Sequence, residues 1–262
     1  MISLFKIIKR AMIMRISEDF AYKLNFFIKF FAVMLRDFIG PLVILLIYTT
    51  TAGIPGWSFY EFILFQGTLT LVFGFGYLFA VMIPVEVMHN VRTGTFDKFL
   101  LKPLNTLVYL TASSFEWAGL AQILVGIALI VFAFIKLNLT VLSSNFVLYL
   151  ILIFFGFLFQ YAVMILIAAL TFLWVQSWAL LDLFFKLTDF ARYPSGIYGS
   201  SLQFFLTFLF PVAISAFFPV EVLLRGFNTI LLLKIIVPVL AFFIVSLLLW
   251  NLAMRKYTSA GG

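Results

Sequence analysis

Long apolar segments dominate this chain, and short polar segments separate them. The apolar segments recur from the first quarter of the sequence to its end, and most approach or exceed the ~20 residues that cross a bilayer as a helix. The pattern predicts six transmembrane helices. Five of them have clear positions, near residues 38–52 (starting as early as 24), 62–84, 107–135, 146–170 and 230–253. We therefore predict an all-α polytopic membrane protein.

The remaining span has two candidate positions. Segment 178–190 is short and carries three charged residues on one helical face, Asp182, Lys186 and Asp189. Segment 202–218 is interrupted by Pro211 and ends before Pro219. Either the first segment crosses and residues 193–219 form a re-entrant hairpin on the outer side, or the first lies in the interface and the second crosses. Both alternatives leave the C-terminus on the same side.

Composition narrows the class of protein. The chain is 65% hydrophobic and 10% charged, and its mean hydropathy of +1.20 is far above that of soluble domains. The apolar segments are too long and too uniformly apolar for barrel strands. The chain has no cysteine and one histidine, His89. This excludes disulfides and thiolate chemistry and argues against a catalytic zinc or haem site.

The distribution of basic residues predicts the topology. Five basic residues fall among the first 23, and we expect residues 1–36 to form an interfacial and elbow region rather than a cleaved signal peptide. With the N-terminus inside, most basic residues are cytoplasmic, as the positive-inside rule requires. Lys136 and Arg225 fall outside, and Arg192 fits the pattern less well. The net charge of +7 thus reflects topology, and we expect no nucleic-acid partner.

A polar island, residues 89–103, lies between the second and third spans. Gly94 permits a sharp turn, and Thr95 is a candidate cap for a short helix with Asp97 in its first turn. Pro103 limits that helix to about two turns. Four apolar residues would lie against the membrane: Phe96, Phe99, Leu100 and Leu104. The alternative is an ordinary solvated loop with positive-inside lysines.

Three segments of this sequence resemble ABC type-2 transporter permeases. The run Val91 to Pro103 is similar to their I-x-x-G-x-x-D-x-x-L-L-x-P signature between the second and third spans. The run Tyr193-Pro194-Ser195-Gly196-Ile197-Tyr198, with Pro211 and Pro219 beyond it, resembles a tyrosine–proline segment and hairpin found in a branch long described only as an uncharacterised permease component. The ending Tyr257 to Gly261 also resembles that branch.

The resemblance implies a mechanism as well as a fold. Such permeases have six spans, cytoplasmic termini, an N-terminal interfacial helix and a re-entrant outer element before the last span. Two permease subunits form the path in the bacterial or archaeal plasma membrane. A coupling helix, here within residues 86–106, docks on a cytoplasmic ABC ATPase dimer. The implied coupling residues are Arg92, Gly94, Asp97, Lys98, Leu101, Lys102 and Pro103.

The sequence contains no G-x-x-x-x-G-K-[ST] phosphate loop. If the protein moves a solute with ATP, another chain must bind the ATP and its Mg²⁺. We therefore predict a non-catalytic permease subunit of an ATP-driven exporter, with no cofactor of its own.

Polar residues inside apolar segments are candidates for the translocation path, because charge at membrane depth is costly. We single out Glu116, Gln160, Asp182 and Lys186. The competing interpretation of each is structural: helix–helix hydrogen bonding for Gln160, an internal ion pair for Asp182 and Lys186, and packing near the inner interface for Glu116. A different class of function, an ion- or proton-coupled secondary transporter, would use Glu116 as its coupling site.

Overall fold

A computed structural model describes residues 4–173, 177–227 and 229–258, and this part of the chain is helical with no strand. Its α-helices, in chain order, are α1 (Leu4–Ala21), α2 (Lys23–Thr50), α3 (Phe59–Phe79), α4 (Met82–Arg92), α5 (Asp97–Leu100), α6 (Thr106–Ser113), α7 (Gly119–Leu137), α8 (Ser144–Thr171), α9 (Trp178–Thr188), α10 (Ser200–Phe204), α11 (Phe217–Arg225) and α12 (Thr229–Lys256). The predicted all-α class is confirmed.

Five helices of the described residues are long and apolar enough to cross a bilayer: α2, α3 continued by α4, α7, α8 and α12. The protein is therefore a multi-pass membrane protein. α2 begins at Lys23, so the earlier of the two predicted starts fits. Arg36 and Asp37 consequently lie near the middle of α2, and residues 23–36 belong to the same continuous helix as residues 37–50.

The predicted third span is not one continuous helix. It is divided into α6 and α7 by an irregular segment, residues 114–118. The neighbouring span has its own interruption at Ala80–Val81, and the two interruptions meet: the Glu116 backbone N–H donates to the Leu78 carbonyl at 3.0 Å. A carbonyl released by one broken helix is thus satisfied by the other, as buried backbone groups require. This contact between distant segments leaves no local sequence pattern, so the prediction of a continuous 107–135 helix was wrong.

α3 and α7 pack closely through two pairs of glycines spaced by seven residues, Gly67 and Gly74 on α3 and Gly119 and Gly126 on α7. A Cβ atom on Gly119 would lie 2.6 Å from the Leu78 nitrogen, and one on Gly126 would lie 2.6 Å from the Leu71 nitrogen. Small residues at helix crossings let backbones approach in this way inside membranes. The pair forms a platform on which α2 and α8 pack.

The region between α8 and α12 contains short helical pieces. α9 has 11 residues and is followed by a 3₁₀ turn, Asp189–Arg192. The apolar helix Ser200–Leu209 ends at Phe210 and Pro211. Neither piece reaches the length of a regular spanning helix. The sixth span and the re-entrant hairpin therefore remain predictions.

The region between α8 and α12 contacts both of these long helices and also the α2–α3 loop. The Phe210 ring packs on Phe159 of α8 at 5.0 Å between centroids and on Phe242 of α12 at 6.5 Å. Both partners lie near the middle of their helices. At the end of α11, Arg225 donates to the Gly56 carbonyl in the α2–α3 loop at 2.7 Å.

The four residues predicted for the outer hairpin lie beside short 3₁₀ turns or in the first turn of α11. Tyr193 is partly exposed, and Pro194 precedes the 3₁₀ turn Ser195–Ile197. Pro211 precedes the 3₁₀ turn Val212–Ser215. Pro219 lies in the first turn of α11, where a proline removes no helical hydrogen bond.

Candidate functional site

The polar island forms a compact turn with a one-turn helix. α4 ends at Arg92, and Gly94 reverses the backbone with φ 67°, in the left-handed region that favours glycine. α5 follows with four residues, and the residue preceding it is Phe96. The helix is therefore shorter than the predicted two turns, and Thr95 does not cap it.

Aromatic packing attaches the island to the bundle. The Phe96 ring is fully buried, with centroids 5.0 Å from Phe172 after α8 and 5.2 Å from Tyr257 after α12. Phe99 is buried against Tyr109 of α6. The prediction that these rings lie against the membrane was wrong for Phe96 and Phe99, because the ends of three other segments cover them.

Tyr257 also meets the acidic residue of α5. Partial burial and, next, the negative Asp97 carboxylate raise the pKa of the Tyr257 hydroxyl above its ordinary value. The hydroxyl thus stays protonated beside the carboxylate. The C-terminal segment and the island are thereby in polar as well as apolar contact.

Asn90 fixes the turn from inside. Its side chain is 1% exposed. The Asn90 amide donates to the Glu86 carbonyl at 2.7 Å, and its oxygen accepts from the Thr95 hydroxyl at 2.8 Å. The Thr95 backbone N–H donates to the Asn90 carbonyl at 2.9 Å. The residues that the resemblance implies for coupling do not include Asn90, although an asparagine one turn after Glu86, where an apolar span ends, was a usable signal.

Most of the residues assigned to coupling face outward. Gly94 and Asp97 are partly buried, and the other five are exposed: Arg92, Lys98, Leu101, Lys102 and Pro103. Leu101 is 83% exposed. Lys98 lies over the Phe99 ring at 5.1 Å and Lys102 over the Tyr109 ring at 5.5 Å, which holds both stems against the island. The island therefore offers a small, basic, partly apolar exposed surface.

α1 belongs to the same end of the molecule. It packs on α6, and Arg15 lies 3.9 Å from Glu86, one turn before Asn90. The N-terminal helix thus contacts α4 and α6, the helices on either side of the island, and the island in turn contacts Tyr257.

A polar cleft of about 540 Å³ lies between α2 and α9. α3 forms its floor, with single contributions from α7 and α8. Six charged residues line it, three basic and three acidic: Arg36, Asp37, Asp182, Lys186, Asp189 and Arg192. Three glutamines complete its polar lining: Gln66, Gln122 and Gln160. Of the predicted path residues, Gln160, Asp182 and Lys186 come together here.

Glu116 lies elsewhere. It lines a smaller cavity of about 100 Å³ together with Tyr22, Asn25 and Lys29, the polar residues at the junction of α1 and α2. Its carboxylate is 2.8 Å from the Lys29 ammonium. A buried carboxylate with a bound counter-charge at the junction of two segments fits a structural role, which weighs against Glu116 as an ion-coupling site.

Two ion pairs already exist in the large cleft. Arg36 is 3.4 Å from Asp37, and Arg192 is 2.8 Å from Asp189. The Gln66 amide donates to the Arg192 carbonyl at 2.8 Å. Among the described residues, no group of three His, Cys, Asp or Glu side chains has the arrangement of a metal site.

Comparison with known proteins agrees with the resemblance. The family model described as "ABC-2 family transporter protein" matches residues 31–261, which include the island, the cleft, most of α2 and the other four long helices. No curated protein and no solved structure matches the chain. The family match, the multi-pass helical fold and the island signature agree: the chain belongs to the ABC-2 family and is a transmembrane permease subunit of an ABC transporter.

Proposed function

We propose that this chain is the permease subunit of an ATP-driven exporter, and that the polar island is the surface on which a cytoplasmic ABC ATPase dimer acts. The observation that carries the proposal is the combination of an exposed tip with a buried attachment. Leu101 and Lys98 are exposed, whereas Phe96 and Asn90 are fully buried. Because the base of the island is packed in the bundle, a force on its exposed surface would displace the attached helices and not the island alone.

The attachment reaches several helices at once. Asn90 belongs to α4, while Phe96 contacts the residues that follow α8 and α12. Closure of the ATPase dimer would therefore move the cytoplasmic ends of three spans together. ATP and Mg²⁺ would be bound by the ATPase, consistent with the lack of a phosphate loop in this sequence.

The proposed topology has both termini in the cytoplasm of a bacterial or archaeal cell, beneath its plasma membrane. Contacts of α1 and of Tyr257 with the island region support a common side for the three segments. The excess of basic residues at this end supports the cytoplasmic side.

In the outer half, we propose that α9 with its 3₁₀ turn is the fifth crossing and that residues 193–219 re-enter from outside. Two contacts support this version. Phe210 packs between the middles of α8 and α12, and Arg225 bonds to the outer α2–α3 loop. The chain would thus descend to mid-depth and return.

A second permease subunit, identical or homologous, is proposed to cover α9. Asp182, Lys186 and Asp189 are exposed in a helix with apolar neighbours such as Leu183 and Phe185. Charged side chains in membrane helices face protein or water rather than lipid, because their desolvation is costly. A facing subunit would keep bulk lipid off these side chains while leaving open, between the two subunits, the cleft that they line.

The coupling assignment is tested with a pair of matched double variants. Lys98→Glu with Leu101→Asp changes the exposed tip of the island, and Lys136→Glu with Leu142→Asp makes the same changes at two exposed positions, the end of α7 and the α7–α8 connection. We expect at least tenfold less of the nucleotide-binding ATPase subunit to co-purify with the first variant, since the variant reverses a charge and removes an apolar contact. The second should behave as wild type. If the island variant assembled with the ATPase and exported normally, the assignment would be wrong.

A further inference from the structure

The large cleft contains buried polar atoms that lack partners. Within the described residues, three buried side-chain atoms without a hydrogen bond belong to residues that line the cleft: Asp37 Oδ2, Gln122 Oε1 and Gln160 Nε2. Gln160 is 3% exposed and Gln122 is 6% exposed. Buried polar groups are nearly always paired, because an unpaired one keeps its full desolvation cost. These atoms therefore indicate a site for a ligand with both donors and acceptors.

The cleft is constructed to hold one of these amides in place. Gly76 of α3 faces Gln160 so closely that any side chain there would overlap the Gln160 amide oxygen. The glycine thus makes room for the amide at the floor of the cleft. An amide carries a donor and an acceptor in either orientation, so it can bind a polar group of either type.

The charges of the cleft identify the class of ligand. Its three basic and three acidic side chains give no net charge. Arg36 with Asp37 and Arg192 with Asp189 are paired, while Asp182 and Lys186 form no ion pair within 4.0 Å among the described residues. At i and i+4 their Cβ atoms are ~6 Å apart on one helical face. One free negative and one free positive group at that spacing complement the two charges of a zwitterionic headgroup.

The surroundings favour an amphiphile. α2 forms one wall of the cleft, and only 11% of its most apolar stretch is buried within the protein. Phe185 of α9, which forms the other wall, lines the cleft and is also exposed. A volume of about 540 Å³ suits a headgroup, while hydrocarbon can lie outside the cleft along these apolar surfaces.

We propose that the cleft binds the zwitterionic headgroup of a net-neutral amphiphile, with its cationic part at Asp182, Asp37 and the Gln122 oxygen and its anionic part at Lys186 and the Gln160 amide. As the substrate class of the transporter, this rests on the proposed export function. The binding itself does not, because it needs no ATPase.

The test measures binding to the full chain in nanodiscs of anionic phosphoglycerol lipid, with empty nanodiscs subtracted. The probes are fluorescent single-chain amphiphiles that share one tail and differ in the head: phosphocholine, phosphoglycerol or trimethylammonium. We expect the phosphocholine probe to bind at least tenfold more tightly than either charged probe. Gln122→Met with Gln160→Met, which keeps side-chain volume, should weaken it about tenfold. Gln203→Met, outside the cleft, should not change it.

Unlabelled glycerophosphocholine distinguishes the source of the headgroup. If it competes only weakly, the ligand is a bilayer lipid; if it competes as well as the amphiphile, the same chemistry comes from a soluble zwitterion. Tighter binding of a charged probe, no effect of the glutamine double variant, or no binding at all would overturn the proposal. Because no ATPase is present, such a failure leaves the coupling assignment intact, and failure of ATPase docking leaves this binding intact.

Discussion

At the scale of single residues, the two functional regions depend on buried polar side chains rather than on exposed charge. Asn90 supports the island and Gln160 the cleft floor, and both are almost fully buried. Exposed charges such as Lys98 were easy to identify from the sequence, because they interrupt an apolar pattern. The supporting residues were harder to identify, because an amide at the end of a helix has several common roles.

Asn90→Leu should loosen the island without removing any residue of its exposed surface. The substitution removes the two hydrogen bonds that the buried Asn90 side chain makes to the Glu86 carbonyl and the Thr95 hydroxyl, each worth about 0.5–1.5 kcal/mol. We expect faster proteolysis at residues 92–103 and weaker stimulation of the ATPase at unchanged substrate binding. Asn251→Leu, exposed on α12, is the control. Equal proteolysis and stimulation in both variants would exclude the positioning role of Asn90.

At the scale of elements, the α3–α7 pair determines where the other helices can lie. The seven-residue spacing of Gly67 and Gly74, and of Gly119 and Gly126, was present in the sequence but had no meaning until the two helices were known to be neighbours. The break at residues 114–118 likewise depends on Leu78, more than thirty residues earlier. The residues at which these helices begin and end therefore depend on the packing of α3 against α7 and not on either segment alone.

Gly126→Ala should destabilise the fold, because its Cβ would lie 2.6 Å from the Leu71 nitrogen and 2.9 Å from the Gly67 carbonyl oxygen, both backbone atoms that cannot yield locally. Overpacking of this kind costs about 1–3 kcal/mol. Gly40→Ala in α2 is the matched control, since its nearest new contact is the Gln66 side chain at 3.7 Å. The unfolding midpoint in detergent should fall only for the first variant. A similar midpoint for both would contradict the close packing.

At the scale of the whole molecule, the arrangement separates two regions. The island, α1 and the segment after α12 share one end, and the α2–α3 loop with Arg225 lies at the other. The cleft lies between them, along α2 and α9. A push at the island would reach the cleft through α3 and α4, which connect the two regions in one span.

The proposed topology is directly measurable, because the chain contains no cysteine. Lys102→Cys in the island and Leu142→Cys in the α7–α8 connection are both exposed positions. We expect a membrane-impermeant maleimide to label the Leu142 variant in intact cells and the Lys102 variant only after permeabilisation. Labelling of the Lys102 variant in intact cells would show that the island lies outside the cell and that the proposed topology is wrong.

The sequence by itself determined the class of the protein, the positions of four of the five long helices and the polar island. These features depend on whether lipid or water surrounds each segment, and the hydropathy of a segment indicates which of the two it is. Only the tertiary structure decided the division of the third span, the ion pair of Lys29 with Glu116 and the assembly of the cleft. Gln66, Gln122 and Gln160 come from three helices, and which of them meet depends on close backbone packing between segments far apart in the chain.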